Sequence, residues 1–299
     1  MSTPQFPAHP AIRRAVIPAA GLGTRLRPLT NAFPKELLPV GRMPVLEHIA
    51  QELCGAGITD ALFIVSDRKP QIRAYFGDVY TGSVTYSAAP DAPSMALRCS
   101  YVTQESQHGL GDALMYAEEW TRSEPFAVAF GDCLMDAPDP SAPLRRLLEV
   151  HSRQGAGATV LAEAIPRHEV FRYGVLAPEA AGAGEDGAAF RVLDIVEKPA
   201  PADAPSSLVV AARWVLDTAV FGCLRQVRPD ARGELNLTDA VRLLVQSGGS
   251  FWASPLLNGE KRRDIGNFET FFAAFVRAAL RDSEYGESVR RAASEEMEA

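Results

Sequence analysis

The sequence contains few of the patterns that mark metal-binding or disulfide-stabilised proteins. Its 299 residues include only four cysteines, Cys54, Cys99, Cys133 and Cys223, which lie far apart and form no C-x-x-C pair. This spacing indicates neither a zinc site nor a disulfide framework. The five histidines form no H-E-x-x-H or similar pair, so none is predicted as a metal ligand.

Long hydrophobic runs are also missing. No apolar stretch reaches the roughly 18 residues that a membrane-spanning helix needs. The first ten residues have neither the basic start nor the apolar middle of a signal peptide. We therefore expect a cytoplasmic protein that does not associate with a membrane.

Positive charge is scarce, and lysine is scarcer still. The chain has 30 basic and 37 acidic residues and a net charge of −7, which argues against nucleic-acid binding. Only four basic residues are lysines: Lys35, Lys69, Lys198 and Lys261. In so lysine-poor a chain, a lysine within a motif is informative.

The composition is that of a globular protein with a substantial core. Hydrophobic residues make up 47% of the chain and charged residues 22%. We predict a flexible arm at 1–11, one large domain at 12–282 and a charged tail at 283–299. The weakly helical tail is expected to be a solvated end; the alternative is a helix used in dimer contacts.

The hydrophobic pattern alternates between strand-like and helix-like segments. Such alternation predicts an α/β fold with a mostly parallel sheet and helices on both faces. The expected strands are 14–18, 61–65, 99–102, 126–130, 157–165, 190–196 and 207–216. The expected helices are 44–55, 69–76, a segment that follows Gly111 and runs through Trp120, 143–152, 217–225, 238–246 and 267–281. Segment 77–98 is turn-rich, and 178–189 is expected to be an exposed hairpin tip.

A glycine-rich loop after the first strand is the most informative stretch. Gly21 and Gly23 let the backbone approach a ligand, while Arg25 and Lys35 can bind a polyphosphate. The loop is not a Walker motif, since Gly23 precedes Thr-Arg rather than Lys-Ser/Thr. It also lacks the third glycine of the dinucleotide fingerprint, which is replaced by Leu26.

Two further candidates follow predicted strands, where ligands of open α/β sheets collect. Gln104 and Gly109 could read a nucleobase, because a carboxamide both donates and accepts and glycine lets a base lie close. Asp132 could bind Mg²⁺, with Asp264 as its partner. The alternative for Asp132 is a helix cap or turn residue.

The ordered set of motifs resembles the sugar-1-phosphate nucleotidylyltransferases from about residue 14 to 281. Within that superfamily the chain is most similar to the bacterial UTP:glucose-1-phosphate uridylyltransferases. The matching motifs are Gly-Leu-Gly-Thr-Arg (21–25), Pro-Lys-Glu (34–36), Gln104 with Gly-Leu-Gly (109–111), Gly-Asp (131–132), Tyr-Gly-Val (173–175), Glu-Lys-Pro (197–199), Gly-Glu-Leu-Asn-Leu-Thr-Asp-Ala (233–240) and Asp-Ile-Gly-Asn (264–267).

The resemblance implies a fold and a reaction. The fold is a single Rossmann-like, GT-A-like α/β domain with a mixed, mostly parallel sheet, flanking helices and a small β insertion near the sugar site. The reaction is Mg²⁺-dependent transfer of a nucleotidyl group from a nucleoside triphosphate, UTP favoured, to a sugar 1-phosphate, glucose 1-phosphate favoured, which releases pyrophosphate. Such proteins are commonly homo-oligomers, so a dimer or tetramer is expected.

The resemblance also assigns residues to roles. The catalytic group is Arg25, Lys35 and Lys198. The nucleotide-binding group is Ala20, Gly21, Gly23, Thr24, Gln104 and Gly109. The sugar-phosphate group is Tyr173, Gly174, Glu197, Lys198, Ala212 and Arg213. The metal ligands are Asp132 and Asp264.

Several positions depart from the family pattern, so substrates other than UTP and glucose 1-phosphate stay as alternatives. The family's Gly-Arg-Tyr beside the sugar is Ala-Arg-Trp at 212–214, its Gly-Leu-Gly-His ends in Asp112, and its Asp-Lys-Pro is Arg-Met-Pro at 42–44. An added methyl at Ala212 could exclude or reorient glucose. The same chemistry with dTTP or another triphosphate and a modified sugar or cyclitol 1-phosphate is therefore an alternative.

Two alternatives belong to other classes of protein. One is a catalytically silent homologue that binds nucleotide sugars and regulates a partner, although the charged motif residues are all present. The other is a glycosyltransferase with a similar nucleotide-binding sheet. That class relies on a D-x-D metal motif, which Asp132-Cys133-Leu134 does not supply.

Overall fold

The computed structural model describes residues 12–82 and 95–298. The predicted arm at 1–11 and much of the turn-rich segment 77–98 lie outside the described residues. The strands, in chain order, are β1 (Arg14–Pro18), β2 (Pro39–Val40), β3 (Met43–Pro44), β4 (Asp60–Val65), β5 (Val79–Gly82), β6 (Met95–Thr103), β7 (Phe126–Ala129), β8 (Cys133–Asp136), β9 (Ala158–Ala164), β10 (Gly174–Pro178), β11 (Phe190–Glu197), β12 (Leu208–Leu216), β13 (Phe251–Pro255) and β14 (Lys261–Asp264).

The helices lie between these strands and at the C-terminal end. They are α1 (Leu29–Ala32), α2 (Val45–Gly55), α3 (Pro70–Phe76), α4 (Leu110–Met115), α5 (Glu118–Thr121), α6 (Ala142–Gln154), α7 (Ala219–Leu224), α8 (Leu237–Gln246), α9 (Phe268–Leu280) and α10 (Gly286–Glu298). Short 3-10 turns occupy Thr24–Leu26, Lys35–Leu37 and Arg167–Arg172. No helix within the described residues is long and apolar enough to span a bilayer.

Ten strands form one sheet in the order β10-β11-β13-β9-β12-β7-β1-β4-β6-β5. The neighbours β7–β1, β1–β4, β4–β6 and β9–β13 are parallel, and the other neighbouring pairs are antiparallel. The α/β class is confirmed, but the sheet is less parallel than predicted. The reason is that β12 inserts against the direction of both its neighbours, while β10 and β11 form a hairpin at the edge.

The central strands are buried on both faces, as parallel strands covered by helices require. In β1, Ala15 and Ile17 pack with the cluster that includes α2 residues such as Leu46. Val16 points to the opposite cluster, which includes Leu114 of α4. Alternation along one strand thus divides the hydrophobic core into two layers.

A two-stranded ladder of β8 and β14 lies outside the main sheet. It pairs Asp264 with Cys133, and the backbone N–H of Ile265 donates to the carbonyl of Asp132 at 3.0 Å. Helix α9 begins just after β14. Its first turn is capped by Asn267, whose side-chain oxygen accepts a hydrogen bond from the backbone N–H of Thr270 at 3.0 Å. This ladder sets the two candidate metal carboxylates side by side.

The C-terminal segment is more regular than the sequence indicated. Residues of the predicted tail form the thirteen-residue helix α10, which is mostly exposed and packs against α9. Arg42 donates to both carboxylate oxygens of Asp282, at 2.6 and 2.7 Å, and lies over the ring of Tyr285. These contacts attach the start of the tail to the turn between β2 and β3.

Candidate active site

The loop after β1 is shaped by its glycines. Gly23 has a φ of +63°, a conformation that side chains rarely adopt, and its carbonyl accepts from the hydroxyl of Thr30 at 2.9 Å. A Cβ at Gly23 would lie 3.0 Å from the methyl of Thr30. Leu26 is fully buried and fastens the loop to the core. Gly21, Gly23 and Thr24 thereby come to line one cavity.

A buried lysine that the sequence analysis left unassigned holds this loop in place. The ammonium of Lys69 donates to the carbonyls of Ala19 (2.7 Å) and Gly21 (2.5 Å) and to both carboxylate oxygens of Glu36 (2.8 Å). Lys69 is 6% exposed and Glu36 1%. Burial lowers the pKa of Lys69 and raises that of Glu36, while the mutual attraction opposes both shifts.

Lys35 and Asp132 form an ion pair in the cavity that the glycine loop lines, which we call the first cavity. Burial alone favours the neutral amine. The carboxylates of Asp132, Glu36 and Asp264 nevertheless raise the pKa of Lys35 above its ordinary value. Burial by itself would raise the pKa of Asp132, but the positive charge of Lys35 holds this pKa below its usual range. Lys35 therefore keeps a charged ammonium in the cavity, a group that can bind an anion.

Asp264 lies next to Asp132 at the end of β14. Its carboxylate accepts from the backbone N–H of Gly266, which fixes the side chain against the turn before α9. Burial, followed by the negative charge of Asp132, raises the pKa of Asp264. The structure therefore brings together the two carboxylates that the sequence named as metal ligands.

Arg25 is exposed and is not among the residues that line the first cavity. A Cβ added to Gly266 would be 3.6 Å from one of its terminal nitrogens, so the guanidinium borders the turn that follows Asp264. Among the described residues it has no hydrogen bond or ion pair, and it remains available to an incoming anion.

Gln104 and Gly109 line the cavity of about 440 Å³ that also contains the glycine loop, Lys35 and Asp132. Gly109 has a φ of +95°, and a Cβ there would come within 2.8 Å of the carbonyl of Leu235. Gln107, which the sequence analysis missed, donates to the carbonyl of Ala20 at 2.8 Å and closes one wall. Only the fold reveals it, because glutamine in a loop is usually solvated.

A second cavity, of about 250 Å³, contains the predicted sugar-phosphate residues Tyr173, Gly174, Glu197 and Lys198. The Lys198 ammonium is 2.7 Å from one oxygen of Glu197, whose other oxygen accepts from the hydroxyl of Thr238 at 3.0 Å. Leu110, Phe130 and Glu234 line both cavities, so the two spaces meet at these residues.

Arg213 and Ala212 require a correction. The guanidinium of Arg213 is fully buried and donates to both oxygens of Glu52 on α2, at 2.7 and 2.6 Å, and to the carbonyl of Cys133. It therefore supports the core behind the sheet and is not among the residues that line the second cavity. Ala212 is buried and has a φ of +57°. It is not one of the described residues that line the second cavity.

Trp214, by contrast, lines the second cavity; the family pattern has tyrosine at this position. Its ring stacks on that of Phe251, with centroids 5.8 Å apart. The indole N–H is buried and has no hydrogen-bond partner among the described residues. Arg172, which the sequence analysis also missed, lines the same cavity.

Residues 14–280 match the family described as nucleotidyl transferase. The chain belongs to this nucleotidyl transferase family. This match confirms the family that the sequence motifs predicted. The chain is a nucleotidyltransferase, because it shares more than 30% sequence identity over most of its length with enzymes of that class. The match spans the described site from the glycine loop to α9.

Several proteins similar to this nucleotidyltransferase have names that specify substrates. The UTP--glucose-1-phosphate uridylyltransferase of Mycoplasma pneumoniae is 35% identical over 280 residues, covering 91% of this chain and 94% of its own. That of Streptococcus pneumoniae serotype 4 is 38% identical over 242 residues, covering 78% and 80%. The UTP-bound structure of the enzyme from Acinetobacter baumannii has a TM-score of 0.80 and 26% identity, covering 95% of this chain and 99% of its own.

Proposed function

We propose that the chain transfers the uridylyl group of UTP to glucose 1-phosphate, with Mg²⁺, and forms UDP-glucose and pyrophosphate. The observation that carries the proposal is the meeting of two cavities at Leu110, Phe130 and Glu234. One cavity has the features of a nucleotide site and the other those of a sugar-phosphate site. The names of the related enzymes support this pair of substrates.

The reaction consists of one displacement at phosphorus. A phosphate oxygen of the sugar 1-phosphate attacks the α-phosphorus of the triphosphate, the bond to the β-phosphate breaks, and pyrophosphate leaves on the opposite side. The attacking oxygen is already anionic, so the protein needs no strong general base. Its tasks are to align the reactants and to neutralise charge.

The cations around the glycine loop suit these tasks. Lys35 would bind the β- and γ-phosphates from within the cavity, and Arg25 would reach them from beside the turn that follows Asp264. The backbone of Gly21 to Thr24 would follow the triphosphate. Lys198 would hold the attacking phosphate, while Glu197 and the turn at Tyr173–Gly174 would bind the sugar hydroxyls.

The donor set at Asp132 and Asp264 fits Mg²⁺. This ion is commonly held by one or two carboxylates together with substrate phosphates and water. The described residues contain no group of three or more possible protein ligands, which agrees with a site that the substrate completes. When bound, Mg²⁺ would offset the charge that builds up on the phosphates.

The test is to incubate the purified protein with Mg²⁺, each of the five common nucleoside triphosphates and a panel of sugar 1-phosphates, and to measure pyrophosphate. We expect strong release with UTP and glucose 1-phosphate, and loss of release when a chelator removes the metal. Release only with another pair would replace the proposed substrates. In a parallel reaction that contains a UDP-sugar and an acceptor but no UTP, release of UDP would indicate a glycosyltransferase. No pyrophosphate with any pair would contradict the proposal.

A further inference from the structure

Gln104 is held in a single orientation by a neighbour on another element. It directly follows β6, its backbone N–H donates to the carbonyl of Val65 at 2.8 Å, and it is only 5% exposed. Its side-chain amide nitrogen donates to a carboxylate oxygen of Asp112, on the first turn of α4, at 2.6 Å. The side chain also lines the first cavity.

This contact determines which end of the amide faces which way. A carboxylate only accepts hydrogen bonds, so it can face the NH₂ end of an amide but not the carbonyl end. Rotating the Gln104 amide by half a turn would set its oxygen against the oxygen of Asp112 and leave buried groups without partners, which is costly. The carbonyl oxygen and the second N–H of Gln104 therefore keep fixed positions.

A fixed amide distinguishes bases that a rotating amide would treat alike. Uracil and thymine present an N3–H donor beside an O4 acceptor. Cytosine presents the reverse at the same two positions, an N3 acceptor beside an N4 donor. An amide that can rotate satisfies either edge, whereas a fixed one satisfies only one of them. With UTP as the proposed substrate, that edge is the one with N3–H, and cytosine in the same position would make two mismatched contacts.

We propose that Asp112 is a specificity-determining residue: it fixes the Gln104 amide and so makes the base site select uracil-type over cytosine-type nucleotides. Asp112 acts through Gln104 and is a positioning residue. The inference rests on the proposed function, since it assumes that the first cavity holds a pyrimidine. It assigns a role to the aspartate that stands where the family pattern has histidine.

The test replaces Asp112 with asparagine, which has the same shape but can donate as well as accept. In Asp112→Asn the Gln104 amide can rotate, since either of its ends can then meet a partner. We expect kcat/KM for UTP over CTP to fall at least about tenfold from the unchanged protein, mainly through KM, with kcat for UTP little altered. Glu119→Gln, an exposed carboxylate on α5, is the matched control and should leave the ratio unchanged.

Calorimetric binding of UMP and CMP gives a readout that does not depend on catalysis. The unchanged protein should prefer UMP, and Asp112→Asn should lose most of that preference. If transfer is detected but the variant keeps the full UTP-over-CTP ratio, the inference fails and the function stands. If no pyrophosphate forms but the variant erases a UMP preference, the proposed function fails and the inference stands. Equal binding of UMP and CMP by the unchanged protein would overturn the inference.

Discussion

Two lysines serve the candidate site at different depths. Lys35 lines the first cavity, whereas Lys69 is not among the residues that line it and donates to the carbonyls of the loop and to Glu36. Substitution should separate these roles, because loss of the first removes a cation from the site and loss of the second removes support from the fold.

Lys35→Ala should lower kcat by about 10²- to 10³-fold, since it removes a preorganised cation from the phosphates. The folded state should persist, with circular dichroism unchanged. Lys261→Ala removes an exposed lysine on β14 and is the control. A rate of pyrophosphate formation equal to that of the control would remove Lys35 from the catalytic group.

Lys69→Met should reduce the free energy of unfolding by about 3–5 kcal/mol, because it leaves the buried carboxylate of Glu36 without its partner. Urea denaturation measures the loss. The double variant Lys69→Met/Glu36→Leu removes both charges and should regain much of the stability. If the double variant is as unstable as the single one, the lost contacts to the Ala19 and Gly21 carbonyls dominate instead.

At the scale of elements, β12 combines regular alternation with an irregularity. Its pairing with β9 shifts between Val210 and Trp214, and Ala212 lies within that shift with a positive φ. A left-handed conformation costs a residue with a side chain about 1–2 kcal/mol. Ala212→Gly should therefore raise the free energy of unfolding by about 1 kcal/mol, measured by urea denaturation. A loss of stability would mean that the methyl contributes more by packing than it costs in strain.

The contact between α6 and β9 contains a buried histidine. A ring nitrogen of His151 lies 2.8 Å from the hydroxyl of Thr159, and burial lowers the pKa of His151 to about 4. In the unfolded chain a histidine takes up its proton near pH 6.5, so acid favours unfolding between the two values. Stability should fall by about 2 kcal/mol from pH 7 to pH 5 through this group.

The control for this pH dependence is His151→Gln, which cannot titrate. Urea denaturation of both proteins at the two pH values isolates the contribution of the histidine, because other groups titrate alike in each. An equal loss of stability in the two proteins would show that His151 is not its source.

The sequence predicted the longer elements within a few residues, because long apolar runs such as β9 and β12 have a clear period. It missed seven strands of two to five residues, which are too short for a periodic pattern: β2, β3, β5, β8, β10, β13 and β14. Arg213 was assigned to the sugar site from its motif alone. Side chains alternate along β12, so Arg213 lies on the opposite face of the sheet from Val210 and Trp214. In the structure it contacts Glu52 of α2 on that face.

Within the site, residues in contiguous motifs were predictable and residues recruited from elsewhere were not. The glycine loop and Asp132 directly follow strands, which is where an α/β sheet collects ligands. Lys69 meets Ala19 and Glu36 only after the chain between them has folded, and no local pattern marks such a contact. The same holds for Gln107 and Ala20.

At the scale of the whole molecule, we predict a homo-oligomer, as the family resemblance implies. Phe272, Phe275 and Val276 are exposed on α9, and a second copy of the chain would cover them. Light scattering should give a multiple of 32.2 kDa. Phe272→Glu/Val276→Glu should shift the mass towards the monomer, and a single 32.2 kDa species of the unchanged protein at every concentration would contradict the prediction.

The ladder of β8 and β14 joins carboxylates from opposite halves of the chain, and this has a consequence for synthesis. A ribosome makes the glycine loop, Gln104 and Asp132 in the first half of its work. Asp264 emerges only near the end. An unfinished chain therefore lacks one of the two carboxylates until the last strand of the ladder is made. Under the proposed function, the capacity to react is then among the last properties that the growing polypeptide acquires.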